Sequence, residues 1–460
     1  MSVFDEQLVS GSILRSVWKI AWPVITLNLV NGLHALVDHI LVGNFVEAQN
    51  NAANAAIGAA WQVFLVLVVF IASVFHGMNV LIARYAGRKD QARVSKVAYE
   101  AFLSAIYVLV CIVAPIGWFI APHLLDFVEA EPIVQEHALP YLRLLFTCGA
   151  PLFLMFMITG AFQAAGDPKT PLKLGILTTM LNIVLSFFFI VGLGMGTVGA
   201  ALGTLLAPAV TVCIAIALIL SKKMIIQPPV RFRLVPDLLV MKTVVQIGIP
   251  TGIQGILLNV GGVLLLRFIG TLPQSAAAQA AYVLCYSQIF SVVTWTSFGL
   301  RAAAGTLSGQ NLGAEKPERA ARCVYTAAGF GFLWASVWAS LYWVAPEFLL
   351  GLFSVSEGPV LEFGRSLLQY LSFSGIALAT ALAFTGGLQG AGDTKSPMWI
   401  AFLSQIVILL GICQIYSMLN MLTPGRVWMA ILISHTSRLA LTGLAFRFGK
   451  WAQVKVELEH

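Results

Sequence analysis

Apolar runs much longer than any β-strand dominate the chain, and short charged breaks separate them. Ala55 to Ala83 is apolar almost throughout. A membrane barrel strand would alternate apolar and polar residues at every second position, and this segment does not. A helix crossing the hydrocarbon core needs about 20 apolar residues and satisfies its own backbone hydrogen bonds. Reading runs against breaks predicts twelve such spans, at residues 17–43, 55–83, 98–121, 138–164, 171–193, 197–221, 242–269, 278–304, 322–346, 364–390, 397–418 and 427–449. The expected fold class is an all-α polytopic membrane protein.

The breaks are sorted by charge. Arg84, Arg88, Lys89, Arg93 and Lys96 fill the second, Lys169 and Lys173 the fourth, and Lys222, Lys223, Arg231 and Arg233 the sixth. The eighth holds Lys316, Arg319 and Arg322, and the tenth Lys395. Odd breaks carry acids instead, with Asp126, Glu129, Glu131 and Glu136 in the third and Glu347, Glu357 and Glu362 in the ninth; Arg426 in the eleventh is the exception. Basic loops stay on the cytoplasmic side. The expected location is therefore the cell inner (cytoplasmic) membrane, multi-pass, with both termini cytoplasmic.

Composition agrees. Only 10% of the 460 residues are charged and 59% are hydrophobic, with a mean hydropathy of +0.88. A soluble domain is roughly 25% charged, so a soluble enzyme or binding module is excluded, and so is disorder. The net charge of +7 is accounted for by the cytoplasmic loops, and no nucleic-acid partner is expected. Six widely spaced cysteines without a Cys-x-x-Cys pair suggest neither a disulfide framework nor a metal site. Asp5 and Glu6 near the start do not resemble the basic region of a signal peptide.

The chain is also written twice. Thr159-Gly160-Ala161-Phe162-Gln163-Ala164-Ala165-Gly166-Asp167-Pro168-Lys169-Thr170-Pro171 returns 226 residues later as Thr385-Gly386-Gly387-Leu388-Gln389-Gly390-Ala391-Gly392-Asp393-Thr394-Lys395-Ser396-Pro397. Gly87 matches Gly313 at the same offset, and Trp22-Pro23 matches Ile249-Pro250 one residue further on. Two six-helix lobes in one orientation follow, the parallel-repeat form of a transporter. The expected division is an N-terminal lobe at 1–221, a cytoplasmic linker at 222–241 and a C-terminal lobe at 242–460. In the repeated loop, glycine ends one helix, Asp167 or Asp393 can cap the next, and Pro171 or Pro397 sits in its first turn.

An ionisable group at mid-membrane costs about 2.5–3.5 kcal/mol on insertion scales, so acids deep in the spans are candidates for function. Only Asp38 qualifies. It follows Pro23, a potential hinge, by 15 residues, about 22 Å along a helix. His34 and Asn31 fall on its face at three- and four-residue steps. Asp38 with His34 could take up and release a proton, or Asp38 could be a polar lock between helices. Arg438, near the middle of the last span, has no acid partner at that depth in its half; backbone carbonyls, water or an anionic substrate group could satisfy it. Phe153, Met157, Phe162, Tyr286 and Trp295 could line a substrate cavity or simply pack. No nucleophile elbow, Walker lysine loop or zinc signature is present. An enzyme is not expected, nor a cofactor or metal, and without a nucleotide-binding domain the energy source must be an ion gradient.

Taken together, these residues resemble the multidrug and toxic compound extrusion (MATE) family of secondary exporters. The twelve spans in two lobes, the Val37-Asp38 segment before Gly43 and the Gly-Asp-x-Lys-Ser/Thr-Pro loop in both halves carry the likeness. It implies an antiporter that exports drugs or toxic metabolites, its lobes rocking around a central cleft. By this likeness Asp38 couples the cation, with Asn182 on the fifth helix and Thr204 on the sixth. The DinF-like branch, the nearer one, often has a second acid four residues after that asparagine, where this chain has Ser186. The NorM-like branch has acids in the seventh and tenth helices, where this chain has Leu258 and Leu378. The resemblance therefore implies coupling in the N-terminal lobe, by H⁺ in preference to Na⁺. The expected partners are a small amphipathic organic substrate and membrane lipid, and the expected state is a monomer. The alternative is a flippase for lipid or a lipid-linked saccharide, whose cavity should be rich in Arg and Lys; a polytopic membrane enzyme is a weaker third.

Overall fold

The computed structural model describes residues 4–45, 72–127, 132–229, 232–353, 355 and 357–458, with only the backbone for 33–45, 127 and 133. Its described elements are all helical. The longer ones, in chain order, are α1 (Ile13–Phe45), α2 (72–87), α3 (Gln91–Val108, running through a π turn at Leu109–Val113 into Ala114–Phe127), α4 (Pro132–Cys148), α5 (Ala150–Ala165), α6 (Lys169–Phe187, with a π turn at Phe188–Gly192) and α7 (Gly196–Leu220). The second half holds α8 (Leu238–Gly270), α9 (Ser275–Tyr282, with a π turn at Val283–Ile289), α10 (Ser291–Gly313), α11 (Pro317–Val344), α12 (Pro359–Gly390), α13 (Lys395–Ala401, with a π turn at Phe402–Leu410 leading into Gly411–Met418) and α14 (Pro424–Phe448).

Nine described helices are long and apolar enough to cross a membrane, and two bent pairs bring the number to eleven. The span predicted at 55–83 lies mostly outside the described residues. The bends refine two expected spans. The fourth turns by 54° between Cys148 and Ala150, where Gly149 and then Pro151 interrupt the helix. The eighth turns by 40° between Ile289 and Ser291, directly after its π turn.

Two compact units make up the structure. Unit 1 comprises Met1–Asp5, Thr26–Ile249 and Glu457–His460, and unit 2 comprises Glu6–Ile25 and Pro250–Val456. The division falls inside the two long helices that contain Pro23 and Pro250. Both remain continuous helices of 33 residues, although an interior proline removes one hydrogen bond.

Each unit has its own core. In unit 1, Leu109, Leu125, Tyr141, Leu145, Phe153 and Leu205 are buried together. Unit 2 buries Tyr282, Phe290, Tyr342, Leu371 and Trp428 in one cluster, and Leu300, Leu307, Val324 and Phe446 in a second. Glycine permits the tightest crossings. A Cβ on Gly248 would lie 1.6 Å from the Ser73 carbonyl oxygen in unit 1, and one on Gly390 would lie 2.0 Å from that of Gly305 in unit 2.

The repeated loop forms the same cap twice. Asp167 Oδ1 accepts from the backbone N–H groups of Lys169 and Thr170, and its Oδ2 accepts from the Thr170 hydroxyl at 2.6 Å. Asp393 does the same for Ser396, with backbone and hydroxyl bonds of 3.1 and 2.6 Å. Gly166 and Gly392 precede these caps with φ of +99° and +96°, values that a side chain would oppose. In the expected linker, Lys96 pairs with Asp237 at 2.8 Å, and the Asp237 N–H donates to Glu100. Tyr99 and Gln91 donate to the carbonyls of Arg233 and Ile225. The linker is thus held along α3.

Candidate functional site

Unit 2 contains a buried polar cluster with no acid in it. Arg438, on α14, is 6% exposed; its Nε donates to Ser404 Oγ at 3.2 Å and its Nη2 to Gln405 Oε1 at 3.4 Å. Arg301, on α10, is half-buried and donates from Nε and Nη2 to Gln389 Oε1, at 3.1 and 2.7 Å. Gln389 passes the chain on, donating to Gln254 Oε1 at 2.8 Å. Helices α8, α10 and α12 therefore converge on one hydrogen-bonded set, and α14 meets the π turn after α13 in a second.

Local backbone explains the convergence. A Cβ on Gly386 would lie 2.1 Å from the Arg301 carbonyl oxygen, so α12 approaches α10 closely enough for Gln389 to reach the guanidinium. Gly261 similarly leaves room for the Gln405 side chain, whose Cγ would be 2.4 Å from a Cβ there. Ser404 and Gln405 stand on the π turn Phe402–Leu410, and Tyr286 stands on the π turn Val283–Ile289. A π turn inserts a residue and re-aims its neighbours, and such turns are frequent at functional sites.

An aromatic ladder adjoins the polar set. Tyr282 stacks on Tyr286 with ring centroids 5.1 Å apart, and on Trp428 at 6.3 Å. His435 lies over Phe290 at 6.4 Å and beside Tyr286, whose hydroxyl is 3.5 Å from His435 Nε2. His435 is buried, and its Nδ1 has no partner among the described residues; the same holds for the buried Thr251 hydroxyl, one turn before Gln254. Cationic donors beside stacked rings suit a ligand with a polar head and an apolar body.

In unit 1, α6 and α7 bury small neutral polar groups, apart from the buried Arg84 on α2 and Glu100 on α3. Asn182, Ser186 and Thr204 are buried. Asn182 precedes Ser186 by one turn of α6, and a Cβ on Gly203, the neighbour of Thr204 on α7, would meet Ser186 Oγ at 2.2 Å. Thr178 donates to Thr211 Oγ1 at 3.0 Å across the same two helices.

The predicted site residues do not all meet. The side chains of Asp38 and His34 lie outside the described residues, although both positions are helical within α1. Asn31 is exposed, and Pro23 is buried inside α1. Phe153, Met157 and Phe162 are completely enclosed in the packing of α5. Tyr286 and Trp295 are half-buried, and Tyr286 reaches His435, one turn before Arg438 on α14. Sequence reasoning did not single out Arg301, Gln389, Gln254, Ser404 or Gln405 as site residues. For Arg301 a signal existed, since the 226-residue offset sets it against Phe75.

The MatE family model matches residues 9–188 and 250–415, the greater part of both halves. Among curated relatives, the probable multidrug resistance protein NorM of Thermotoga maritima is 24% identical over 95% of this chain and 93% of its own length. The probable multidrug resistance protein YoeA of Bacillus subtilis is 24% identical over 87% of each chain. A solved structure described as the outward-facing conformation of a multidrug resistance MATE family transporter superposes with a TM-score of 0.88, at 21% identity and 97% coverage of both chains. The same duplicated helical architecture thus accompanies a family match across both repeats, and the chain belongs to the MatE family of membrane transporters, not to any enzyme class.

Proposed function

We propose that the chain is an antiporter of the inner membrane that exports amphipathic organic compounds, such as drugs or toxic metabolites, in exchange for inward-moving protons. The carrying observation is the place of Asp38: it is the one acid deep in a predicted span, while α6 and α7 of its unit bury Asn182, Ser186 and Thr204. A carboxylate that holds a proton on one side of the membrane and releases it on the other supplies the differential stabilisation that alternating access requires. Ser186 in place of a second acid disfavours Na⁺, since a hard cation wants several oxygens with compensating charge.

In this reading Asp38 carries the proton with His34 as its neighbour, Pro23 marks the hinge of α1, and Asn31, Phe153, Met157, Phe162, Tyr286, Trp295 and Arg438 contribute to the substrate path. The chain is divided into lobes at 1–221 and 242–460 joined by the linker at 222–241, both termini are cytoplasmic, and the transporter acts as a monomer without a cofactor. Ser186, Leu258 and Leu378 set the chain nearer the DinF-like branch than the NorM-like one.

The test is reconstitution into proteoliposomes with a pH gradient or a Na⁺ gradient imposed separately, following a fluorescent amphipathic cation. Export is expected with the pH gradient and lost in Asp38→Asn. Transport driven by Na⁺ alone would overturn the coupling assignment, and intact proton-driven transport in Asp38→Asn would overturn the choice of residue. The second reading, a flippase for lipid or lipid-linked saccharide, is favoured by one observation, the buried Arg438 and half-buried Arg301 of unit 2.

A further inference from the structure

We propose that unit 2 holds an anion-binding site in which Arg301 and Arg438 grip the carboxylate, sulfonate or phosphate group of an amphipathic ligand, with the Tyr282–Tyr286–Trp428 ladder against its apolar body. This adds an anionic ligand class to the exporter described above, beside the amphipathic cation of its transport test, and rests on that reading only for the ligand's being cargo; binding itself needs no ion gradient.

The first support is charge. A guanidinium stays protonated in proteins, and burying it without an opposite charge is strongly unfavourable. The seven acids of unit 2 are Glu6, Glu315, Glu318, Glu347, Glu357, Glu362 and Asp393. All lie in loops or first helical turns, and among the described residues neither Arg301 nor Arg438 makes an ion pair. The partners of both arginines meet the same helix within two turns: Gln389 donates to Gln254 of α8, and Gln405 packs against Gly261 of α8. An arrangement that brings two cations together and offers them only amide and hydroxyl oxygens is incomplete without an anion.

The second support is donor arithmetic. Each guanidinium has five N–H groups. Arg301 uses two on Gln389, and Arg438 uses one on Ser404 and one on Gln405, which leaves three on each without a partner among the described residues. Two forks with free donors match the oxygens of a carboxylate or phosphate. The buried His435 Nδ1 and Thr251 hydroxyl, both without a partner among the described residues, add polar capacity in the same unit. Ser404, Gln405 and Gln389 orient the arginines and are positioning residues.

Equilibrium binding to the full-length protein in phosphatidylcholine nanodiscs tests the site, using dansyl-glycine and its uncharged counterpart dansyl-glycinamide as fluorescent probes. The carboxylate probe should bind more tightly than the amide. Arg301→Gln and Arg438→Gln should each weaken it about tenfold or more, the loss of one charge-assisted contact, while leaving the amide probe unchanged. Should Arg438→Gln fail to fold, Gln405→Glu gives Arg438 an internal carboxylate and should produce the same selective loss. Displacement by inorganic phosphate would assign the site to free anions as well, and displacement on adding phosphatidylglycerol to the nanodisc would assign it to lipid headgroups. Equal affinity for the two probes, or unchanged carboxylate binding in the variants, overturns the site. Loss of proton-driven export with carboxylate binding intact overturns the exporter reading alone.

Discussion

The two units share one frame and differ in what they bury. At the 226-residue offset, Gly386 corresponds to Gly160, Gln389 to Gln163, Ser404 to Thr178, Arg301 to Phe75 and Arg438 to Val212. In unit 1 the ring of Phe75 fills the space beside Gly160, and Thr178 pairs with Thr211. In unit 2 the corresponding positions carry a guanidinium bound to Gln389 and a serine bound to Arg438. Duplication preserved the glycines and caps that set backbone geometry, while the side chains facing inward diverged in polarity. This divergence is what the two proposals above draw on: a proton at Asp38 in the first unit, an anion at Arg301 and Arg438 in the second.

Several substitutions sharpen or break this comparison. The largest contrast is expected at the paired glycines. Gly386→Ala drives a Cβ into the backbone carbonyl of Arg301 at 2.1 Å, whereas Gly160→Ala meets the edge of the Phe75 ring at 2.2 Å. A ring can rotate and a packed helix backbone cannot. Unfolding in detergent should show a loss of about 3 kcal/mol for the first and about 1 kcal/mol for the second; the reverse order would mean that the crossings are not equivalent.

Next come Ser404→Ala and Thr178→Val, which remove matched hydroxyls. Ser404 accepts from a buried cation, so its loss should cost about 2 kcal/mol, against about 1 kcal/mol for the neutral Thr178–Thr211 pair. Equal losses in the same unfolding measurement would deny the difference in polarity. Asp167→Ala and Asp393→Ala probe the part of the frame that did not diverge. Each should lower stability by about 1 kcal/mol, and a gap between them larger than that value would break the structural equivalence of the repeats.

The smallest effect belongs to the linker. Its hydrogen bond with Lys96 holds the Asp237 carboxyl below the usual carboxylate range. A carboxyl whose pKa is depressed by folding contributes stability above its unfolded pKa of about 3.9, and that contribution disappears as pH falls through the folded value. Stability of the wild type should therefore decline slightly more steeply below about pH 4 than that of Lys96→Met, measured by unfolding across an acid series. Identical acid profiles would show that the pair does not couple α3 to the linker.

Much of the frame was legible in the chain itself, and the reason is locality. Membrane class depends on apolar composition over about 20 residues, and the Asp167 and Asp393 caps depend on partners two or three residues away. Arg438 was legible for a related reason: a lone arginine inside an apolar run stands out without any structure. Arg301 did not stand out, because it falls three residues from the end of its predicted span at 278–304, where a long side chain would ordinarily reach out to the interface.

What the sequence by itself determined is the bilayer as solvent, the duplication, the capped loops and the isolation of Asp38. Only the tertiary structure decided that Arg301, Gln389 and Gln254 form one chain, or that Arg438 finds Ser404 and Gln405. Those meetings depend on how closely backbones cross at Gly386 and Gly261, and on π turns. Each residue of a helix turns the chain by about 100°, so a one-residue insertion at Val283–Ile289 or Phe402–Leu410 redirects every side chain beyond it. No count of apolar residues registers that rotation, and it determines which polar groups share a buried face.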